Sequence, residues 1–214
     1  MTNEELHRPV LVSEVLEHLA PRPGDAFVDA TFGAGGHGLA ILGSLRPDGL
    51  LVGLDRDAEI LEAARARWAE EPGLRLFHAA FSELGTVLDE LGRATVDGIL
   101  FDLGVSSFQL RRPERGFSFS QEGPLDMRMD REGQGRTAAD LVNRLPASEL
   151  AALFFRLGEE RHSRRIAAAI ERARTAKPIE TTTELAGLVR SAIGRGHGGD
   201  RIDPATRVFQ ALRI

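Results

Sequence analysis

The sequence contains no cysteine. That absence excludes disulfides, thiolate metal sites and cysteine nucleophiles together. It also narrows what a base-modifying enzyme could do here. Methylation at carbon 5 of a pyrimidine ordinarily begins with a cysteine attacking the ring, so an exocyclic nitrogen or an oxygen is the expected acceptor. The six histidines are scattered, with no H-x-x-x-H pair, and no metal site is expected. No apolar run approaches the roughly 20 residues that span a bilayer. Residues 1–9 carry Glu4 and Glu5 and no apolar block, unlike a signal peptide. No membrane association is expected, and a cytoplasmic location follows. Lysine is nearly absent: Lys177 is the single lysine among 27 basic residues. Arginine suits planar phosphate recognition, although GC-rich coding or heat adaptation gives the same bias.

What is present is an ordinary globular composition. The chain has 214 residues, 42% of them hydrophobic and 28% charged, enough to bury a sizeable core. The net charge of −5 argues against nonspecific coating of nucleic acid. Its distribution is uneven. Residues 1–105 carry −10, residues 106–205 carry +3, and Arg207 and Arg213 add +2. An anionic partner is therefore expected at the second half, against the plainer reading of a solvated helical surface.

Short buried strands alternate with helices through the first half. The pattern predicts a helix over 12–19, then strands over 26–30, 50–54, 74–77 and 96–101. Helices are predicted between them over 39–45, 58–68 and 83–91. Short connections imply a parallel sheet covered on both faces. The alternation stops near Ser106. Residues 108–136 are rich in Arg, Gly, Pro and Asp, without a sustained period. Helices are predicted over 138–145, 148–157 (with Ser148 as N-cap), 163–174 and from 181 to Gly194, where Thr181-x-x-Glu184 forms a capping box. Residues 194–204 read as a mobile loop, and a final helix starts at Ala205.

The stretch Val28-Asp29-Ala30-Thr31-Phe32-Gly33-Ala34-Gly35-Gly36-His37-Gly38 follows a strand and opens a helix. Glycines let a backbone approach a ligand, and a helix N-terminus offers free N–H groups. Gly33, Gly35 and Gly38 also fit G-x-G-x-x-G, so a dinucleotide competes. Asp55, 20 positions beyond Gly35, ends the second strand, where its carboxylate can accept from ribose hydroxyls. The alternative is a tight turn beside a surface Asp. Two carboxylates favour S-adenosylmethionine, which has no pyrophosphate but carries an amine and a sulfonium. Asp29 precedes the glycines and Asp102 ends the fourth strand, both at carboxyl ends of strands, where ligands bind in open sheets.

Further strings carry a resemblance over nearly the whole chain. They are His7-x-Pro9-Val10-Leu11, Asp29-Ala30-Thr31-Phe32-Gly33-x-Gly35-Gly36-His37 and Asp97-Gly98-Ile99-Leu100-Phe101-Asp102-Leu103-Gly104-Val105-Ser106-Ser107. Arg115-Gly116-Phe117-Ser118-Phe119, Gly123-Pro124-Leu125-Asp126-Met127-Arg128-Met129-Asp130 and Gly158-Glu159-Glu160-Arg161 follow. Pro204-Ala205-Thr206-Arg207-x-Phe209-Gln210-Ala211-Leu212-Arg213-Ile214 completes the set. With these the sequence resembles the bacterial 16S rRNA cytosine-N4 methyltransferases of the RsmH (MraW) type. It departs from them at Phe108, where proline is usual.

The resemblance implies an α/β fold: a Rossmann-like class I S-adenosylmethionine methyltransferase sheet carrying an inserted, mostly helical domain. Residues 1–107 and 205–214 are expected in the core and 108–204 in the insert, which is expected to contact RNA. Family members continue with further sheet strands, so C-terminal strands are expected to be missing from this chain. The implied cofactor is S-adenosyl-L-methionine, held by Gly35, Gly36, His37, Asp55, Phe81, Asp102 and Gln109. The implied partner is 16S ribosomal RNA in the small ribosomal subunit.

Asp102, with Ser106 and Ser107, is the candidate for activating the amino group. The alternative is that Asp102 only orients the cofactor. His37 is expected to contribute a backbone contact. Arg111, Arg112 and Arg115 are candidates for holding phosphates, and Phe117 and Phe119 for stacking, with packing against the sheet the plainer role for both rings. A noncatalytic RNA-binding or ribosome-assembly protein and a dinucleotide-dependent oxidoreductase remain as alternatives.

Overall fold

The computed structural model describes residues 9–133, 135–194 and 202–213. The chain divides into two compact units, residues 1–108 and 109–214. No helix among the described residues is long and apolar enough to cross a membrane.

The first unit alternates α1 (Val12–Leu19), β1 (Ala26–Asp29), α2 (Gly36–Leu45), β2 (Leu50–Asp55), α3 (Ala58–Arg67), β3 (Leu74–His78), α4 (Leu84–Glu90) and β4 (Gly98–Leu100). The strands pair in parallel in the order β3-β2-β1-β4. All four residues of β1 are buried, as expected of a central parallel strand covered on both faces. Period-two alternation sorts the apolar side chains into two layers. Phe27, Leu51 and Leu74 pack with Ile41, Leu42 and Leu45 of α2 and Ala64 of α3. Val28, Val52 and Leu54 pack with Val87 of α4. Each fully buried Leu or Val contributes about 1.5–3 kcal/mol.

Two boundaries differ from the sequence reading. The glycines hide the start of α2, which begins at Gly36 with Leu39 N–H already donating to Gly35 O. The β4 strand is shorter than 96–101. The Asp97 carboxylate accepts the Ala26 N–H at 2.8 Å, so side-chain bonding marks its beginning, and Phe101 leaves the strand half-exposed.

α5 (Ser107–Leu110) lies at the division between the units. The second unit then runs through irregular chain into α6 (Ala138–Arg144), α7 (Ala147–Gly158), α8 (Ser163–Ala176), α9 (Thr182–Ile193) and α10 (Ala205–Arg213). The capping box at Thr181 is formed: its hydroxyl accepts the Glu184 N–H, and the Glu184 carboxylate accepts the Thr181 N–H. Ser148 is not the N-cap of α7. Pro146 holds that position, its carbonyl accepting Glu149 and Leu150 N–H, because proline has a preset φ and no donor to satisfy. Of the expected loop over 194–204, residues 195–201 lie outside the described residues.

The sequence reading grouped 205–214 with the sheet core. The described part of that segment, α10, instead packs on α6, α7 and α9. Its Val208, Phe209, Ala211 and Leu212 are buried. Gly158 at the end of α7 makes this possible, because a Cβ there would lie 2.3 Å from Arg207 O. Three helices supply the apolar surface that α10 needs, which a sheet edge of three residues does not.

Candidate functional site

The glycine segment of the first unit is built around one aromatic ring. Phe32 is buried, and three glycines leave room for it. A Cβ on Gly35, Gly38 or Gly53 would come within 2.9, 2.7 or 2.6 Å of its ring. Gly35 also has φ +94°, a conformation that other residues adopt only with strain. Gly36 is filled from the other direction, since its Cβ would meet the Pro9 ring at 2.9 Å. Gly35 and Gly38 of the dinucleotide fingerprint are therefore backed by the Phe32 ring, while a Cβ on Gly33 would meet nothing closer than 3.8 Å.

Carboxylates ring the loop. Asp55 ends β2, with one oxygen accepting the Gly33 N–H at 2.7 Å and the other the Asp57 N–H at 2.8 Å. Each oxygen keeps a second lone pair for a ligand hydroxyl. Burial pushes this carboxyl above its ordinary value, partly offset by those two N–H groups. Asp29 ends β1, is only 1% exposed, and accepts the Thr31 N–H at 3.1 Å. Burial, reinforced by Asp55 and Asp102 nearby, pushes it up to about 6, although the Thr31 N–H and His37 pull the other way. A buried carboxyl with two further carboxylates close by marks a place where a cation would be welcome.

Asp102 follows β4, and its side chain is 57% exposed. Its backbone N–H donates to Thr31 Oγ1 at 2.8 Å, so Thr31 ties the ends of β1 and β4 together. His37, buried at the start of α2, has Nε2 at 2.7 Å from Val10 O. A carbonyl only accepts, so Nε2 carries the proton. Its Nδ1 lies 3.5 Å from the Asp102 carboxylate. The imidazole thus ties the segment before α1 to the start of α2. Phe81, in a single 3-10 turn after β3, is 51% exposed. Its ring meets the half-exposed ring of Phe101 edge to face, centroids 5.8 Å apart.

The structure therefore gathers Gly35, Gly36, His37, Asp55, Phe81 and Asp102 on the carboxyl side of one sheet. Ser106 precedes α5 and Ser107 opens it, both half-buried. Gln109 is buried and belongs to the second unit. Sequence reasoning missed Thr31, Phe32 and Phe101. Their roles depend on strand register and on ring packing, and no local spacing signals either.

The basic candidates separate. Arg111 is exposed and Arg112 half-exposed. Arg115 requires correction as a phosphate contact: it is 1% exposed, and its Nη2 donates to Arg128 O and Met129 O at 3.1 and 2.9 Å. A guanidinium in that position organises the loop rather than meeting an external anion. Phe117 is fully buried, and Phe119 packs edge to face on Phe209 with centroids 4.8 Å apart. Both rings serve packing.

Comparison with known proteins agrees with this geometry. A family described as the MraW methylase family matches residues 4–214. A "Ribosomal RNA small subunit methyltransferase H" of Syntrophotalea carbinolica is 56% identical, over all of this chain and 68% of its own length. Its namesake in Geobacter sulfurreducens is 54% identical, over 97% of this chain and 67% of its own length. The chain thus spans about two-thirds of the length of these curated relatives. A parallel sheet with an acidic ligand side, a match over nearly every residue and more than half of all positions shared with such relatives lead to one statement: the chain belongs to the MraW methylase family.

Proposed function

We propose that this chain uses S-adenosyl-L-methionine to methylate the exocyclic N4 of a cytidine in 16S ribosomal RNA of the small subunit. The observation that carries the cofactor is the set of carboxylates, Asp29, Asp55 and Asp102, around a loop whose Gly35, Gly36 and Gly38 are packed by Phe32 and Pro9. That set fits a cationic ligand with ribose hydroxyls and does not fit a pyrophosphate. The substrate rests on the relatives named as small-subunit rRNA methyltransferases, and an RNA substrate puts the protein in the cytoplasm.

The cofactor, when bound, supplies an electrophilic methyl group on a sulfonium. The chain's residues do the rest. Asp55 holds the ribose while its inner lone pairs keep Gly33 and Asp57 in place. The exposed face of Phe81 offers a stacking surface to adenine. Gly35, Gly36 and the backbone of His37 line the turn. Asp102 has the accessible carboxylate needed at the amino group of cytosine. That nitrogen is weakly nucleophilic because its lone pair is delocalised into the ring. An acceptor on its N–H localises the pair and takes the proton as the methyl arrives. Ser106 and Ser107 are the assisting hydroxyls. The base must leave its stack to reach the site, and the nucleophile must be held at about 3–3.5 Å.

Calorimetric titration should give binding of S-adenosylhomocysteine and none of NAD. Asp55→Ala should weaken that binding by about 1.5–3 kcal/mol, the scale of hydrogen bonds to a charged group. Small subunits lacking the modification, incubated with labelled cofactor and digested to nucleosides, should yield N4-methylcytidine. Preferential NAD binding would overturn the cofactor, and label on another nucleoside would overturn the acceptor.

A further inference from the structure

The burial of Arg115 removes it from the phosphate-binding candidates, yet the second unit remains basic. Among the described residues an exposed cluster of arginines lies elsewhere, at the corner where α7 turns into α8. Arg156 is in the last turn of α7, Arg161 is in the connection, Arg164 and Arg165 are in the first turn of α8, and Arg172 is farther along that helix. All five are exposed. Among the described residues none of them is held in an ion pair, whereas Arg128, Arg144, Arg174 and Arg190 of the same unit all are. Of the two acids at the corner, Glu159 is exposed, while Glu160 is buried with its carboxylate accepting the His162 N–H at 2.7 Å.

These arginines do not serve the helix. The first turn of α8 contains no acidic residue, and positive side chains there oppose the helix macrodipole. The buried face of α8 is Ser163, Ile166, Ala167 and Ile170. Arg165 and Arg172 lie two turns apart on another side, with Ala168 and Ala169 between them, side chains too short to hold a partner away. Phe155, beside Arg156, is 61% exposed. Exposed arginines at the end of α7 and along α8, with an uncovered ring on α7, suit a strand of phosphates with splayed bases.

We propose that the α7–α8 corner is a contact surface for the sugar–phosphate backbone of RNA, with Phe155 stacking on an unpaired base. The proposal rests on the RNA-methyltransferase reading above and adds to it the surface that engages the substrate. Arg161, Arg164, Arg165 and Arg172 contact phosphates as bidentate forks. Their contribution releases counterions and so declines with salt.

The test uses the full chain, protein-free 16S rRNA as the probe, and two matched double variants. Arg164→Ala/Arg165→Ala removes two corner charges. Arg22→Ala/Arg93→Ala removes two exposed charges from the first unit. Binding is measured from 50 to 200 mM salt, with S-adenosylhomocysteine titrated in parallel. The corner variant should bind RNA at least about ten-fold more weakly at 50 mM salt. Its log–log salt slope should fall by about 1.4, from about 0.7 for each of two contacts. Cofactor affinity and the control variant should be unchanged, and Phe155→Ala should weaken binding without changing the slope. Equal RNA binding by the two double variants overturns the surface while the methyltransferase reading stands. Absence of RNA binding by the unmodified chain overturns both.

Discussion

The two units treat their charges in opposite ways. In the first, acids collect at the carboxyl ends of parallel strands and have few cations near them. Asp29 is buried with its proton affinity raised, and Asp55 is raised with it. In the second, acids are neutralised where they stand. Burial raises Asp126, but the guanidinium fork of Arg128 outweighs it and holds that carboxyl below its ordinary value. Lys177 and the N–H groups of Glu180 and Thr181 hold Glu184 down at about 2, and Asp203 is held by Arg190. Uncompensated charge is costly in a fold, so its location is informative. In the first unit it is negative and converges on one loop, which describes a pocket for a cation. In the second the uncompensated charge is positive and spread over a surface, which describes a face for a polyanion.

The largest expected effect tests whether the loop of the first unit really depends on one ring. Phe32→Ala should destabilise that unit by about 3–5 kcal/mol, because three glycines would then border a void. Hydrogen exchange should show β1 and β2 losing protection while α7 and α8 keep theirs. Equal loss in both units would break the comparison.

A smaller effect, of up to about 3 kcal/mol, sits on Asp29. Its folded value of about 6 lies above the ordinary 3.8, so the folded state binds more protons than the unfolded chain between those values. Stability from this group is therefore present at low pH and is lost as pH rises through about 6. Asp29→Asn should remove that slope and stabilise the unliganded chain at pH 7.5, while weakening binding of the cationic cofactor more than that of its neutral-sulfur product. Chemical denaturation at pH 4.5, 6 and 7.5 reads the first effect. An unaltered pH profile would mean that Asp29 is compensated after all.

The smallest belongs to the second unit. Thr181→Ala should cost about 1 kcal/mol, the usual value of an N-cap, and should do so nearly equally from pH 5 to 8. A strong pH dependence there would show that this unit also stores uncompensated charge, and the contrast would fail.

How much of this was legible in the sequence varies element by element. The strands β1 and β2 and the helices α8 and α9 follow from apolar period and capping, because burial of a face and satisfaction of helix ends are local demands. The ends of β4 and the start of α2 were not legible, since Asp97 bonding to Ala26 and glycines joining a helix are decided by neighbours distant in the chain. In the site, Asp29, Asp55 and Asp102 were readable as carboxylates at strand ends. Arg115 read as a phosphate ligand, because nothing local distinguishes an arginine that reaches solvent from one that turns inward to bond Arg128 O and Met129 O.

By itself, the sequence determined the chemistry available: no thiol, three acids placed where parallel strands end, a glycine segment between them, and an arginine-rich second half. These are facts of residue type and local period. Tertiary structure alone decided how they are used. Pairing of β1 with β2 and β4 brought the three acids to one side, and burial in the central strand, with those acids adding to it, raised Asp29. Packing of Phe32 against Gly35, Gly38 and Gly53 shapes the loop. Burial sorted the arginines, sending Arg115 inside and leaving Arg161, Arg164 and Arg165 outside. Charge is carried by a residue, but its energy depends on solvent and neighbours, and only the folded chain supplies those.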